Sequence, residues 1–142
     1  MAKTYNADEV DVIIAGVPID SGFADGEFLR IEQESDDFGD VVGTDGEVTR
    51  FKTNDRRANV TLLLMQTSDS NQFLSALSNV DRLAPNGAGI VPFLVLDTNG
   101  ESLYEALELW VQKPPDVSFA REPGTREWAL RVARLERNDA GT

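Results

Sequence analysis

The chain has 142 residues and a formal net charge of −12, and it contains neither cysteine nor histidine. This length suits one ordinary domain with a real core, and 41% apolar and 27% charged residues are typical of a globular protein. Without cysteine or histidine there is no disulfide, no zinc–sulfur site and no histidine-based triad, so enzymatic function is disfavoured. We expect a single domain over residues 1–142, with a polar C-terminal tail from about residue 138.

The negative charge is unevenly spread along the chain. Thirteen acids and a single base, Arg30, lie between Asp8 and Glu47. Two interpretations stay open: the acids keep a small protein soluble by mutual repulsion, or an acidic surface of one copy meets a basic surface of the next. Either way, the chain is a poor direct binder of nucleic acid phosphates. No apolar run approaches the roughly 18 residues of a membrane span, and no secretory signal is visible, so we expect no membrane partner.

The first third of the chain predicts short strands joined by turns. Alternating apolar residues favour strands at residues 10–14, 28–34 and 38–42, the first of them ending at Gly16-Val17-Pro18. Asp45-Gly46 predicts a hairpin with a type I′ turn, in which both central residues need positive φ, and a return strand follows it.

A strand and a helix in the middle of the chain are the clearest elements. Residues 58–66 are apolar on both faces, which predicts a strand covered on both sides. Ser68 or Ser70 can cap the next element, a helix expected over about residues 68–83. Its apolar face is expected to carry four residues at helical spacing: Phe73, Leu74, Leu77 and Val80.

The C-terminal half contains two ambiguous segments. Residues 90–96 predict an apolar strand, and Asn99-Gly100 predicts a second type I′ turn. Residues 102–112 and 127–136 fit either a helix or a strand, and their hairpin context favours strands. Val117 and Phe119 are expected to pair with the last of these strands. The sum is a mainly β (α+β) fold, a small antiparallel β-barrel or sandwich of seven or eight strands with one flanking helix.

Candidate catalytic and metal-binding groups are weak. The three aspartates within residues 36–40 form the densest carboxylate cluster, but a solvated turn explains them better than a cation site. Residues 97–101 match only the start of a calcium loop, and a hairpin explains them better. Glu105 and Glu108 would be a conceivable acid–base pair, but nothing in the sequence places them in a pocket. We therefore predict no catalytic residue, no metal and no cofactor.

Four blocks of the sequence together carry a family resemblance. They are GFADGEF at residues 22–28, VVGTDGEVTR at 41–50, KTNDRRANVTLLLMQTSDSNQFLSAL at 52–77 and KPPDVSFAREPGTREW at 113–128. They span most of the chain, in order and without a large gap. In these blocks the chain resembles the tail tube proteins, small structural proteins of contractile-tailed bacteriophages.

This resemblance implies a subunit of the inner tail tube through which phage DNA passes. It implies six copies to a ring, rings stacked head to tail, and transient, non-specific passage of DNA. It also implies tail sheath, tape-measure and baseplate proteins as partners, a place in the virion, and assembly in the bacterial host cytoplasm. One alternative is another virion component, a baseplate or capsid decoration module. A less favoured one is a small carboxylate-dependent domain that binds cations or hydrolyses a substrate.

The resemblance also implies two sets of functional residues. The first belongs to the charged loop at residues 43–57, which is expected to reach an adjacent subunit: Asp45, Glu47, Arg50, Lys52, Asn54, Asp55, Arg56 and Arg57. The second set is acidic and is expected to line the channel: Glu27, Glu32, Glu34, Asp36, Asp37 and Asp40. Carboxylates there would repel phosphates and let DNA slide without sticking.

Overall fold

The computed structural model describes residues 2–20 and 22–140, so the last two residues of the predicted tail lie outside the described chain. A single 3-10 turn (Ala7–Glu9) comes first. Within the described ranges, ten strands and one α-helix follow: β1 (Val10–Ile14), β2 (Val17–Ile19), β3 (Leu29–Gln33), β4 (Phe38–Val42), β5 (Val48–Lys52), β6 (Ala58–Met65), α1 (Ser70–Leu83), β7 (Val91–Asp97), β8 (Leu103–Lys113), β9 (Thr125–Val132) and β10 (Glu136–Asn138). None of the described residues forms a helix with the length and apolar character that a membrane crossing requires.

Eight of the strands form one antiparallel sheet. Seven follow the order β2-β1-β7-β8-β9-β6-β3, and β10 pairs with β8. Over the described residues the end strands β2 and β3 do not pair with each other, so the sheet is not a closed barrel. It is sandwich-like instead, because one face of its strands contributes to a single core. The prediction of a mainly β fold with one flanking helix is confirmed.

The buried face of the sheet holds the core. Alternate residues of β6 are at most 1% exposed: Ala58, Val60, Leu62 and Leu64. Between them Thr61 and Leu63 are only half-buried, and Met65 is 43% exposed. The prediction that β6 is covered on both sides is therefore wrong. An antiparallel sheet keeps one face towards solvent, and here apolar residues occupy part of that face too.

The helix α1 packs on the core through its middle. Leu74 is fully buried, while Phe73 and Leu77 are partly buried against the core. Val80 was expected on the same face, but it is exposed, so the packed stripe ends before the last turn. The helix begins at Ser70 rather than at Ser68, and the Ser68 hydroxyl oxygen accepts from the Ser70 N–H at 3.3 Å. Ser68 thus supports the first turn, as predicted for one of the two serines.

Both ambiguous C-terminal segments are strands. The first is β8, and the second is divided into β9 and β10 by a break at residues 133–135. The expected pairing of Val117 and Phe119 with β9 is wrong, because both lie exposed in the irregular segment 114–124. Three prolines in that segment remove backbone donors that a strand would need. Beyond β10, the Ser102 hydroxyl donates to the Ala140 carbonyl at 2.6 Å.

Both predicted hairpins are present, but neither has a type I′ turn. Between β4 and β5 only Gly46 has a positive φ, +87°, and Asp45 does not. Between β7 and β8 the positive φ belongs to Glu101, at +63°, rather than to Asn99-Gly100. There the Asp97 carboxylate accepts from two loop N–H groups at 3.1 and 3.2 Å, which is an Asx-type turn. Both loops are longer than two residues, and longer loops use other turn types.

A tight two-residue turn lies where the sequence predicted the end of the first strand. Ala15 and Gly16 both have positive φ, +55° and +76°, as a type I′ turn requires. The chain therefore returns beside β1, and Ile14 lies opposite Val17 in the short strand β2. The predicted end at Gly16-Val17-Pro18 is wrong, and β2 becomes one edge of the sheet.

Candidate assembly interface

The hairpin of β4 and β5 stands apart from the main sheet. We call residues 38–52 the arm. Its two strands pair with each other, over the whole length from Phe38 opposite Lys52 to Val42 opposite Val48, and with no other strand in the described residues. Five of its large apolar side chains are between 46% and 62% exposed: Phe38, Val41, Val42, Val48 and Phe51. A two-stranded hairpin has no core of its own, and exposed apolar surface of this kind marks an interaction site.

The pairing register divides the arm into two faces. One face, which we call the basic face, carries three cross-strand pairs: Phe38 with Lys52, Asp40 with Arg50, and Val42 with Val48. The guanidinium carbon of Arg50 lies 4.2 Å from the centroid of the Phe38 ring, so the cation covers part of the aromatic surface. Two bases against one acid give this face a positive balance.

The opposite face of the arm is uncharged. It carries Val41 and Thr49, together with Gly39 and Phe51. A Cβ atom on Gly39 would collide with the Phe51 ring, so glycine at this position lets the ring lie across the neighbouring strand. The two strands of the arm therefore carry apolar residues on both faces and charges on the basic face only, while Asp45 and Glu47 lie in the loop between the strands.

A hydrogen-bonded cluster holds the root of the arm against the sheet. The Asp55 carboxylate accepts from Nε and Nη2 of Arg57, each at 2.8 Å, and from the Ser35 hydroxyl at 2.8 Å. These bonds, first of all those from Arg57, lower the pKa of Asp55 far below its usual range. Nearby, the Thr53 N–H donates to the Asp37 carbonyl at 2.8 Å. Asp55 and Arg57 thus engage each other within one chain.

The eight predicted interface residues fall into two groups. Half of them lie on the arm: Asp45, Glu47, Arg50 and Lys52. The other half form its root: Asn54, Asp55, Arg56 and Arg57. The Arg56 carbonyl accepts from the Leu135 N–H at 2.9 Å, which ties the root to the break between β9 and β10. The turn chemistry located the arm, but the apolar residues that dominate its surface were not singled out.

The six predicted channel residues extend from the edge strand β3 to the arm. Glu27 and Glu32 both face Arg30, with carboxylate oxygens 2.6 and 3.7 Å from its guanidinium nitrogens. Their carboxylates raise the pKa of Arg30, with the hydrogen bond from Arg30 to Glu27 as the largest cause. Asp36 and Asp37 follow β3, and Asp40 lies on the basic face of the arm.

Glu34, the remaining predicted channel residue, belongs to a small network on the solvent face of the sheet. Its carboxylate accepts from the Asn59 side-chain amide at 2.8 Å and lies 3.6 Å from the Arg131 guanidinium. Arg131 in turn donates to Asn59 at 2.9 Å. The network joins the residue that follows β3 to β6 and to the end of β9. It stabilises the edge of the sheet as well as presenting charge.

An apolar groove on the solvent face of β1, β7 and β8 was missed by sequence reasoning. It has a volume of about 610 Å³ and is lined by Ile13, Pro92 and Leu94 from the first two strands. Leu107 of β8, also in the lining, is 87% exposed. The pairing of β7 with β8 shifts register between Val91 and Phe93, so the alternation of β8 is broken beside Leu107. We call this feature the outer groove.

Acidic residues lie beside the outer groove. Glu105 and Glu108, which the sequence could not place in a pocket, both line it. Arg134 and Glu136 also line it, and they neutralise each other in an ion pair of 3.0 Å. In the described residues no group of three or more acids is placed to hold a metal ion. The groove is suited to an apolar partner that carries positive charge.

A small β-sandwich with an uncovered apolar arm and an uncovered apolar groove defines a structural subunit that assembles with other chains. Comparison with known proteins identifies the family. Residues 3–138 match the family model described as Bacteriophage PhiTE tail tube protein, and the chain belongs to this family. It is also 31% identical over 133 residues to Structural protein ORF10 of Pseudomonas phage KPP10, covering 90% of this chain and 77% of that one. The protein is a structural tail tube protein of a phage virion.

Solved structures share the fold at much lower identity. The anti-feeding prophage cap, a tube terminating cap, is 12% identical, with a TM-score of 0.62 over 99% of this chain and 95% of that chain. A chain of the PVC sheath-tube complex in the extended state is 11% identical, with a TM-score of 0.60 over 95% and 91%. A chain of the native gene transfer agent virion is 11% identical, with a TM-score of 0.63 over 96% and 100%. At such identities the likeness shows the fold alone.

Proposed function

We propose that this protein is the subunit of the inner tube of a contractile phage tail and has no catalytic function. Six copies form a ring, and the rings stack head to tail into a tube that DNA crosses on ejection. The observation that carries this proposal is the arm, an exposed apolar hairpin on a chain of the tail tube family. Such an element is a liability on a monomer, and it is useful where a neighbouring copy covers it.

The contacts between copies are proposed to be heterologous. The arm is a projecting hairpin, and the surface it needs is concave, so the two halves of the contact differ in shape. A heterologous contact closes into a ring when its rotation allows and continues as a filament when it does not. In a tube of stacked rings, one such contact closes each ring and another continues from ring to ring. The four predicted interface residues on the arm, Asp45, Glu47, Arg50 and Lys52, lie where such a contact would form.

The other partners follow from the tube. We propose the tail sheath as the outer partner, supported by the likeness in fold to a chain of a sheath-tube complex. Tape-measure and baseplate proteins are proposed to meet the lumen and the end of the tube. Assembly takes place in the host cytoplasm, and DNA passes without specific binding. Exposed acids in and around the edge strand β3 are proposed to face the channel, since like charges repel phosphates: Glu27, Glu32, Glu34, Asp36 and Asp37. Asp40, the sixth predicted channel residue, lies opposite Arg50 on the basic face of the arm, so we assign it to the contact between copies instead.

Electron microscopy of the purified protein tests this proposal. We expect negative-stain micrographs to show rings or tubes at high protein concentration. A variant in which residues 41–49 are replaced by a short glycine–serine turn should remain folded, because the arm pairs with no other strand, but should form no tubes. Strictly monomeric wild-type protein would contradict the proposal. Single rings that never stack would point instead to a tube terminator, the description given to two chains of the same fold.

A further inference from the structure

We propose that the outer groove receives the basic face of the arm from the next copy. The inference rests on the proposed tube and names the second half of the contact between its subunits. In it, Phe38, Val42 and Val48 of one copy lie on the apolar lining of the groove, and Arg50 and Lys52 face Glu105 and Glu108 of the other copy.

The apolar surfaces of the two sites match in character. The three apolar residues of the basic face project from one side of a hairpin, where each is 46% to 62% exposed. The outer groove has a volume of about 610 Å³, and Leu107 in its lining is 87% exposed. Within the described chain nothing fills the groove and no other strand pairs with the arm. Docking one on the other removes both apolar surfaces from water, which favours the contact.

The charges of the two sites are complementary. In the described residues no ion pair involves Glu105 or Glu108 at the groove. The same holds for Arg50 and Lys52 on the arm. The groove therefore presents two acids that are in no ion pair, and the basic face presents two bases against one acid, Asp40. Complementary charges of this kind set register and speed association more than they add affinity.

The same charges disfavour symmetric contacts. Two arms meeting through their basic faces would bring Arg50 and Lys52 of one copy against the same bases of the other. Two grooves meeting would bring Glu105 and Glu108 together in the same way. Like charges placed opposite each other are destabilising, so the two sites prefer each other to themselves. This preference gives the head-to-tail direction that a tube requires.

A charge exchange tests the pairing of arm and groove. We expect Arg50→Glu with Lys52→Glu to raise the critical concentration for polymerisation about tenfold or more, and Glu105→Lys with Glu108→Lys to do the same. The protein with all four changes should polymerise within about threefold of the wild-type concentration, because each exchanged pair again has opposite charges. Critical concentrations are measured by sedimentation, and tubes are verified by negative-stain microscopy.

Two matched controls separate the groove from general effects of charge and hydrophobicity. Glu101→Lys with Glu122→Lys makes the same change in net charge at exposed positions outside the groove, and should polymerise as the wild type does. Leu107→Asp should abolish polymerisation, whereas Leu83→Asp, at a leucine 81% exposed on α1, should not. Circular dichroism melts verify that every variant is folded.

The outcomes distinguish this inference from the proposed function. If the wild type forms tubes but the groove variants polymerise normally, or if the fourfold variant is not restored, the outer groove is not the receptor and the tube proposal stands. If the wild type forms no tubes under any condition, both fall. Tubes from the fourfold variant, with loss in each double variant, would establish the pairing.

Discussion

Asp55 illustrates how a charged residue at the root of the arm is used within its own subunit. Its carboxylate accepts from the side chain and, at 3.1 Å, the backbone N–H of Arg57, and from the hydroxyl of Ser35. Ser35 follows β3, and Arg57 immediately precedes β6, so the cluster joins the two strands from which the arm extends. The ionised carboxylate of Asp55 thus contributes to holding the root of the arm, beside backbone hydrogen bonds such as that from Thr53 to Asp37.

This role of the ionised carboxylate predicts a loss of stability in acid. The pKa of Asp55 is lowered in the folded protein, so the unfolded chain takes up this proton first as the pH falls. The stabilisation is complete above the unfolded pKa of about 3.9 and is lost as the pH falls below it, towards the folded pKa. We expect Asp55→Asn to lower the urea midpoint at pH 7 and to flatten its decline between about pH 4 and pH 2. Asp116→Asn, in the exposed segment 114–124, is the control; identical profiles for all three proteins would refute the role of Asp55.

At the scale of elements, the side-chain amide of Asn71 links α1 to two strands of the sheet. Asn71 accepts from the indole N–H of Trp128 at 2.9 Å and donates to the Met65 carbonyl at 2.9 Å. Trp128 is buried on β9, and Met65 ends β6, so one side chain joins the helix to two neighbouring strands. Leu74, Phe73 and Leu77 add the apolar contacts of the helix with the core.

Removal of this amide should loosen the helix. Asn71→Ala leaves the indole N–H without its partner in a partly buried place, which costs about 1–3 kcal/mol in the free energy of unfolding. Gln72→Ala, at the adjacent exposed position, should change it by less than about 0.5 kcal/mol. Urea denaturation followed by tryptophan fluorescence measures both. Equal effects of the two substitutions would show that the Asn71 bonds carry no net stability.

The elements that the sequence predicted well are those with long, regular patterns. β6 and α1 were each predicted with ends within two residues of those observed, since apolar alternation and helical spacing extend over many residues. β2 was missed because three residues containing a proline carry almost no pattern, and its turn begins at Ala15, an uncommon residue for positive φ. The predicted strand at residues 127–136 is divided into β9 and β10, and tertiary hydrogen bonds such as that from Leu135 to Arg56 hold the break. Such bonds cannot be predicted from the local sequence pattern.

The candidate site was predictable only in part. Turn residues and charges marked the loop at residues 43–57, so Arg50 and Lys52 were found. The apolar residues of the arm were not, because an exposed strand and a half-buried one have the same alternation. The outer groove could not be predicted from the sequence. It depends on a register shift between β7 and β8 and on the exposure of Leu107.

At the scale of the whole molecule, the net charge of −12 predicts that the protein does not bind DNA. We expect neither subunit nor tube to retard double-stranded DNA in a gel at low salt, where phosphate binding by basic proteins is strongest. Tubes of the variant Asp36→Lys with Asp37→Lys should retain DNA, if these residues face the channel. Asp116→Lys with Glu122→Lys, elsewhere on the surface, is the control. Retardation by wild-type tubes, or equal behaviour of both variants, would contradict an acidic lumen.

The arm also bears on how quickly a tube can begin. A two-stranded hairpin without a core is only marginally stable in water, so in the proposed tube we expect a joining subunit to lose conformational freedom of its arm when it binds. For the first few subunits, few contacts with neighbours offset this loss of entropy. A subunit that joins the end of an existing tube would contact a complete ring, whose outer grooves can all receive arms. For the proposed tube we therefore expect elongation to be faster than the creation of new ends, so that a component supplying a first ordered ring would set where each tube begins.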